Sequence, residues 1–373
     1  MAAHLYWRIY VEANNNDSYS SIGEVFMHTT PGGADVCTGG TPFASGVSGS
    51  DSAAHAFDRT NGTRWAILGN TGCWVGYQFA APVDIVEFAL TMDTSFLTQC
   101  PKRFWLEWSD DGVAFRTAIG TVNETGWANL ETRTYTKPAL AGGAAVSWAV
   151  RCLDRMASGP FGAADFVEIQ EIEFRGTLGG TDLTDAGGGT AIESSHNSSF
   201  VAANAFDNSS TFWQASQGGK QYVGYTFPAA VAVAELALRA TNGSEFDLAP
   251  LNFDVVISQN GNVFGAVFNS PSLPAWTQNL QRTFDLFGSP PPINLAGAFT
   301  DEATFSPQIT LAAPSLVLAA AFEDAAAFVA QIVFGSPISV QADFTDEAAF
   351  SPQITLAPLL LPPPVQTVVV LTG

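Results

Sequence analysis

Positive charge is scarce in this chain. Its 373 residues include 14 Lys and Arg against 35 Asp and Glu, a formal net charge of −21. Nucleic acids and anionic membranes are held by basic side chains that neutralise phosphate, so this composition supports neither as a partner. Cysteine is sparse too: Cys37, Cys73, Cys100 and Cys152 all fall in the first half. No C-x-x-C pair or Cys/His spacing marks a zinc site, and the four are expected to be buried, reduced thiols. A basic stretch followed by an apolar one, the mark of a secretory leader, is missing from residues 1–8. No apolar run reaches the roughly 20 residues of a membrane span, and Pro358 and Pro362–Pro364 interrupt the apolar C-terminus. The expectation is a protein assembled in a cytoplasm without membrane insertion.

Catalytic signals are equally thin. His4, His28, His55 and His196 share no ligand spacing, and Gly187–Gly189 are followed by no lysine or helix signal of a phosphate loop. Ser109-Asp110-Asp111-Gly112 is one residue short of a sialidase Asp-box and reads as a strand turn. No carboxylate pair stands out as acid and base. A non-enzymatic protein with no required cofactor is expected.

What the chain does contain is one segment written twice. Ala53-Ala54-His55-Ala56-Phe57-Asp58, Gly62-Thr63-Arg64-Trp65 and Trp74-Val75-Gly76-Tyr77-Gln78-Phe79 recur as Ala202-Ala203-Asn204-Ala205-Phe206-Asp207, Ser210-Thr211-Phe212-Trp213 and Tyr222-Val223-Gly224-Tyr225-Thr226-Phe227, 148 or 149 residues on. Upstream, Trp7-Arg8-Ile9-Tyr10 and Ile22-Gly23-Glu24-Val25-Phe26 match Trp148-Ala149-Val150-Arg151 and Ile169-Gln170-Glu171-Ile172-Glu173-Phe174. A duplication of one domain's length favours avidity over new chemistry. Short apolar runs alternate at period two between Gly, Pro, Asn and Ser clusters, and no amphipathic helix of ten residues or more is evident. The fold class is therefore all-β: two tandem sandwiches over 1–146 and 147–288, a Pro-rich linker over 289–292, and a repeat region over 293–373.

In that last region, Phe299–Ala312 recurs as Phe344–Ala357 with one change, and a degenerate copy lies midway, giving a period of about 22 residues. Ile338–Phe344 alternates strictly, Thr345–Ala348 reads as a turn, and each period is expected to form a β-hairpin that must stack on neighbours. Such low-charge, Ala-rich repeats resemble those of bacteriophage tail and fibre proteins. Assembly through 293–373 into a homo-oligomer is expected.

The duplicated segments resemble the coagulation-factor-5/8 type C (discoidin) family, whose galactose-binding-like jelly roll also includes carbohydrate-binding modules. The Ala-Phe-Asp stretch leading to Thr-x-Trp, the aromatic strand and the Ser-x-Asp-Gly turn carry the resemblance, and the second copy is looser, with Ser258-Gln259-Asn260-Gly261 at the turn. The family's aromatic-Arg and x-Glu-Ile strands come last in its domains but first here, which reads as circular permutation. The resemblance implies a structural calcium held by Glu24, Asp58 and Thr63 in the first copy and by Glu171, Asp207 and Thr211 in the second. Bare turn capping by the two aspartates is the alternative.

The shared aromatics Trp65 and Trp213, Phe57 and Phe206, and Phe79 and Phe227 read as core. Loop residues that differ between copies are the better ligand candidates: Asp93, Phe96 and Leu97, with Asn242, Glu245 and Phe246 in the corresponding loop. The implied function is an outward-facing virion structural protein, in a tail, fibre or capsid decoration, that attaches to a host-surface glycan and contacts other virion proteins. A bacterial surface adhesin, or a carbohydrate-binding accessory to a separate glycan-degrading enzyme, is the alternative.

Overall fold

The computed structural model describes residues 3–155, 166–216, 219–242 and 248–288, then 293–299, 308–310, 316–322, 331–333, 339–340 and 343–344. Among these the chain is all-β, its helices being short 3-10 turns such as Ala53–Ala56 and Ala202–Phe206. The first copy supplies β1 (His4–Asn14), β2 (Tyr19–Ile22), β3 (Glu24–His28), β4 (Thr41–Ala44), β5 (Trp65–Leu68), β6 (Cys73–Val83), β7 (Glu87–Thr91), β8 (Pro101–Ser109), β9 (Arg116–Thr121) and β10 (Thr132–Thr136). The second supplies β11 (Ala144–Arg155), β12 (Glu168–Ile169), β13 (Glu171–Arg175), β14 (Thr190–Glu193), β15 (Trp213–Gln214), β16 (Gln221–Ala232), β17 (Glu235–Arg239), β18 (Pro250–Ser258), β19 (Val263–Asn269) and β20 (Gln281–Asp285).

The copies share one topology. In the first, strands run β4-β6-β1-β8-β9 in one sheet and β10-β7-β3 in the other, with β2–β5 as a short pair. In the second the orders are β14-β16-β11-β18-β19, β13-β17-β20 and β12–β15. Alternation places Trp7, Ile9 and Val11 of β1 in the first core with Phe88, Leu90 and Phe104. Trp148, Val150 and Cys152 of β11 join Phe174, Leu236 and Phe253 in the second. Trp65 and Trp213 are wholly buried, as their repetition leads one to expect. All four cysteines are buried, free thiols. The repeated Val-Gly-Tyr has a steric reason: a Cβ at Gly76 would lie 2.5 Å from the Trp7 carbonyl oxygen, and one at Gly224 would lie 2.3 Å from that of Trp148.

The sandwiches are not separate beads. Residues 1–286 form one compact unit and 287–373 another. Within the first unit, β9 pairs antiparallel with β19, with Ile119, Gly120 and Thr121 opposite Gly265, Phe264 and Val263, making one ten-stranded sheet. The expected boundary at 146/147 falls inside β11, which starts at Ala144; β10 ends at Thr136, so the connection is 137–143.

The linker over 289–292 lies outside the described residues. Beyond it the expected hairpins are replaced by parallel pairing. β21 (Ile293–Phe299) runs parallel to β23 (Leu316–Phe322), with Ile293 opposite Leu316, and β23 pairs β25 (Ser339–Val340) and β26 (Asp343–Phe344) the same way. β22 (Gln308–Thr310) pairs β24 (Gln331–Val333), with Gln308 opposite Gln331. Each strand thus faces its counterpart one repeat on. Period-two alternation fixes which side chains share a face but not strand direction, and in-register parallel stacking lets similar repeats pair like with like.

Candidate functional site

The two sets of residues implied for calcium occupy matching places but are built differently. In the first module Asp58 accepts hydrogen bonds from the Thr63 hydroxyl (3.0 Å) and the Thr60 amide (2.8 Å). Glu24, at the start of β3, accepts from the Thr60 amide (2.9 Å). Arg59 sits between these groups, donating to Glu24 (2.9 Å), the Val25 carbonyl (3.0 Å) and Asp35. Burial raises Glu24, while Arg59 pulls it back towards the charged form. A guanidinium already neutralises this cluster, so the residues present do not suit an added cation.

The second module has Asn208 where Arg59 stands, with a similar left-handed backbone (φ 55 and 60). Asp207 again accepts from a threonine, Thr211 (2.5 Å), and from the Ser209 amide (2.9 Å). Glu171 is 1% exposed, and neither carboxylate oxygen makes a well-formed hydrogen bond. Burial, then the charges of Asp207 and Asp182, push its carboxyl up to about 8 against smaller pulls from Arg239 and the Asn208 amide. A buried carboxylate so weakly bonded, beside a second one, suits a hard cation. Among the described residues, no three or more His, Cys, Asp and Glu side chains converge as a metal-holding group.

The ligand-candidate loops are only partly a surface. Asp93 is buried and accepts from Arg64 (2.8 Å) and the Ser95 amide (2.9 Å). Phe96 is 43% exposed, with the Arg64 guanidinium carbon 3.8 Å from its ring centroid, and Leu97 packs partly against the core. Asn242 is exposed; Glu245 and Phe246 lie outside the described residues.

The most elaborate constellation was not foreseen. In the ten-stranded sheet, β18, β19 and β9 separate β11 from β8. In a flat sheet those four steps of roughly 4.8 Å would put β11 and β8 about 19 Å apart. Yet Arg151 of β11 donates to Glu107 of β8 (2.9 Å), to Thr117 of β9 (2.7 Å) and to Glu12 of β1 (2.8 Å). The sheet therefore folds back, and the outer faces of its two halves meet in a seam.

Trp105, Ala149, Tyr222, Val256, Phe264 and Ala266 form the seam's apolar cluster. Beside them, Glu107 is fully buried and accepts from Arg8 (2.8 Å) and Lys220 (2.6 Å) as well as Arg151. Burial alone would raise Glu107, but Lys220, Arg8 and Arg151 outweigh it and hold the carboxyl far below the usual range. Arg103 pairs with Glu12 (3.1 Å) and donates to the Ser194 carbonyl (3.0 Å). Asp254 accepts from the Thr117 amide (2.7 Å).

Two sequence signals pointed here. Phe104-Trp105-Leu106-Glu107 and Phe253-Asp254-Val255-Val256 mix apolar and charged residues without clean alternation, as strands covered on both faces do. The outer face of the first strand also differs between copies, with Arg8 and Tyr10 against Ala149 and Arg151.

Set against protein-family models, curated proteins and solved structures, the chain gave no match.

Proposed function

We propose that this chain is a non-enzymatic attachment and structural protein of a virion, bacteriophage or phage-like. Its two sandwich modules face outward to a host-surface glycan, and residues 293–373 hold it among other virion proteins as part of a homo-oligomer assembled in the host cytoplasm. The observation that carries the reading is the welding of two copies of one module into a single unit by a shared sheet and a buried seam. Fixing two recognition modules at one spacing raises avidity for a repetitive surface, because the linkage freedom lost on the second contact is already removed. The parallel ladder of C-terminal repeats supports the second half of the reading, since such repeats gain stability by adding neighbours.

Within this reading the modules are permuted galactose-binding-like jelly rolls, and a structural calcium belongs to the second module alone, at Glu171, Asp207 and Thr211. The weakly bonded oxygens of Glu171 support that assignment, as Arg59 argues against its counterpart at Glu24, Asp58 and Thr63.

Antibodies raised against the first module should decorate particles from the native source and block their adsorption to host cells. Particles that carry the protein but adsorb normally when it is covered would overturn the attachment role. Particles lacking it altogether would overturn the virion reading.

A further inference from the structure

A cleft of about 440 Å³ opens on the first module, lined by the turn after β1, by Asn70 and Thr71 before β6, and by Lys102 at the start of β8. Its wall is built. Asn14 donates to the Asp17 carbonyl (3.0 Å) and accepts from the Asn16 amide (3.1 Å), while Asn15 donates to the Cys100 (3.0 Å) and Glu124 (3.2 Å) carbonyls. These two side chains hold the turn and leave Asn16, with φ 77, at its tip.

The other lining groups are uncommitted. Among the described residues, the side chains of Asn16, Asn70, Thr71 and Lys102 make no hydrogen bond or ion pair. For Lys102 this is unusual. Each of the six arginines of the first module has a carboxylate partner. In a chain of net charge −21, a lysine without one stands out. The carboxylate that also borders the cleft, Glu12, already answers to Arg151 (2.8 Å) and Arg103 (3.1 Å). What faces a ligand is therefore one ammonium, two amides and a hydroxyl, with no aromatic ring among the lining residues.

Amides and a hydroxyl both donate and accept, which suits sugar hydroxyls, while an ammonium selects an acid group. The second module cannot repeat the arrangement. Counting from the prolines that open β8 and β18, Leu251 stands in place of Lys102, and counting from Trp7 and Trp148, Leu153 replaces Glu12.

We infer that this cleft binds an acidic saccharide unit, its acid group on Lys102 and its hydroxyls on Asn16, Asn70 and Thr71. The inference rests on the glycan-attachment reading and names the site and ligand class for it. It differs from the loop at Asp93–Leu97, where the neighbouring cation Arg64 is already paired with Asp51 (3.1 Å) and Asp93 (2.8 Å).

The test is calorimetric titration of the full chain with oligogalacturonate, a sulfated galactan oligosaccharide and the unsubstituted galactan. One or both acidic sugars should bind and the neutral one much more weakly, with affinity falling as salt rises. Lys102→Met should weaken binding on the order of tenfold, the usual worth of one charge-assisted hydrogen bond, and Lys102→Arg should largely restore it. An unchanged melting temperature separates lost binding from lost fold. Equal binding of neutral and acidic sugars, or binding indifferent to Lys102→Met, overturns the cleft assignment and leaves the attachment role standing. No binding by any of the three also overturns it, and the antibody-blocking assay then judges attachment by itself.

Discussion

Arg151→Met removes the centre of the seam. Arg151 is wholly buried, binds Glu12, Glu107 and Thr117 at 2.7–3.2 Å, and lies 4.3 Å from the centroid of the Trp105 ring. Burial alone would lower its guanidinium, but Glu12 and Glu107 outweigh that and keep it charged. Taking one partner from a buried ion network costs about 3–5 kcal/mol, since the groups left behind stay desolvated with less compensation. Here the lower end applies, because Glu107 keeps Arg8 and Lys220 and Glu12 keeps Arg103. A loss of about 3 kcal/mol lowers the melting temperature by roughly 6–12 °C on the scale for domains of this general size. Differential scanning calorimetry of the full chain reads it directly. Arg133→Met is the control: its guanidinium is part-exposed, Glu131 lies near the surface and Glu124 is buried, so a smaller loss of about 1–2 kcal/mol is expected. If Arg151→Met melts with the control, the seam is not a cohesive interior and the reasoning fails.

Three further outcomes are expected. Gly120→Ala would place a Cβ 2.1 Å from the Trp105 ring and should cost about 1–3 kcal/mol in urea unfolding; a neutral result would mean that Trp105 is loosely seated. Burial lowers Lys220 from 10.5 to about 8, so between those values the unfolded chain binds the extra proton. Lys220 should therefore make stability rise with pH across that window, its penalty being complete below pH 8, and Lys220→Met should flatten the rise. Calcium should raise the melting temperature, an effect lost in Asp207→Ala and kept in Asp58→Ala; the opposite pattern would place the cation in the first module.

The duplication and the all-β class were legible because matched strands carry matched cores. Trp7 and Trp148, Trp65 and Trp213, and Phe104 and Phe253 occupy the same places in two separate interiors. The seam was harder to read, because alternation reports that a face is buried and not what covers it. Trp105 and Glu107 look like neighbours on an outer face until Arg151, from the other copy, is placed upon them. The two acid–threonine clusters were legible as residues, but their different surroundings were not. The difference lay in one neighbouring position, Arg59 against Asn208, whose long side chain reaches the acids only once the turn is folded. The C-terminal repeats were found by period, but pairing direction is a long-range property that local alternation does not encode.

Amide hydrogen exchange at the join between β9 and β19 tests the central claim most directly. On this edge Ile119–Thr121 and Val263–Gly265 pair across the two modules, while their other edges pair with β8 and β18 within each module, and the neighbouring Val122 amide donates to the Asn262 carbonyl (3.2 Å). If the modules form one body, the amides directed across the join should exchange as slowly as those of β1 and β11 at the centre of each sheet, and Arg151→Met should speed them before it speeds the sheet centres. Rapid exchange at these edges in the intact chain, with the sheet centres still protected, would contradict the account by showing two sandwiches that fold side by side without joining.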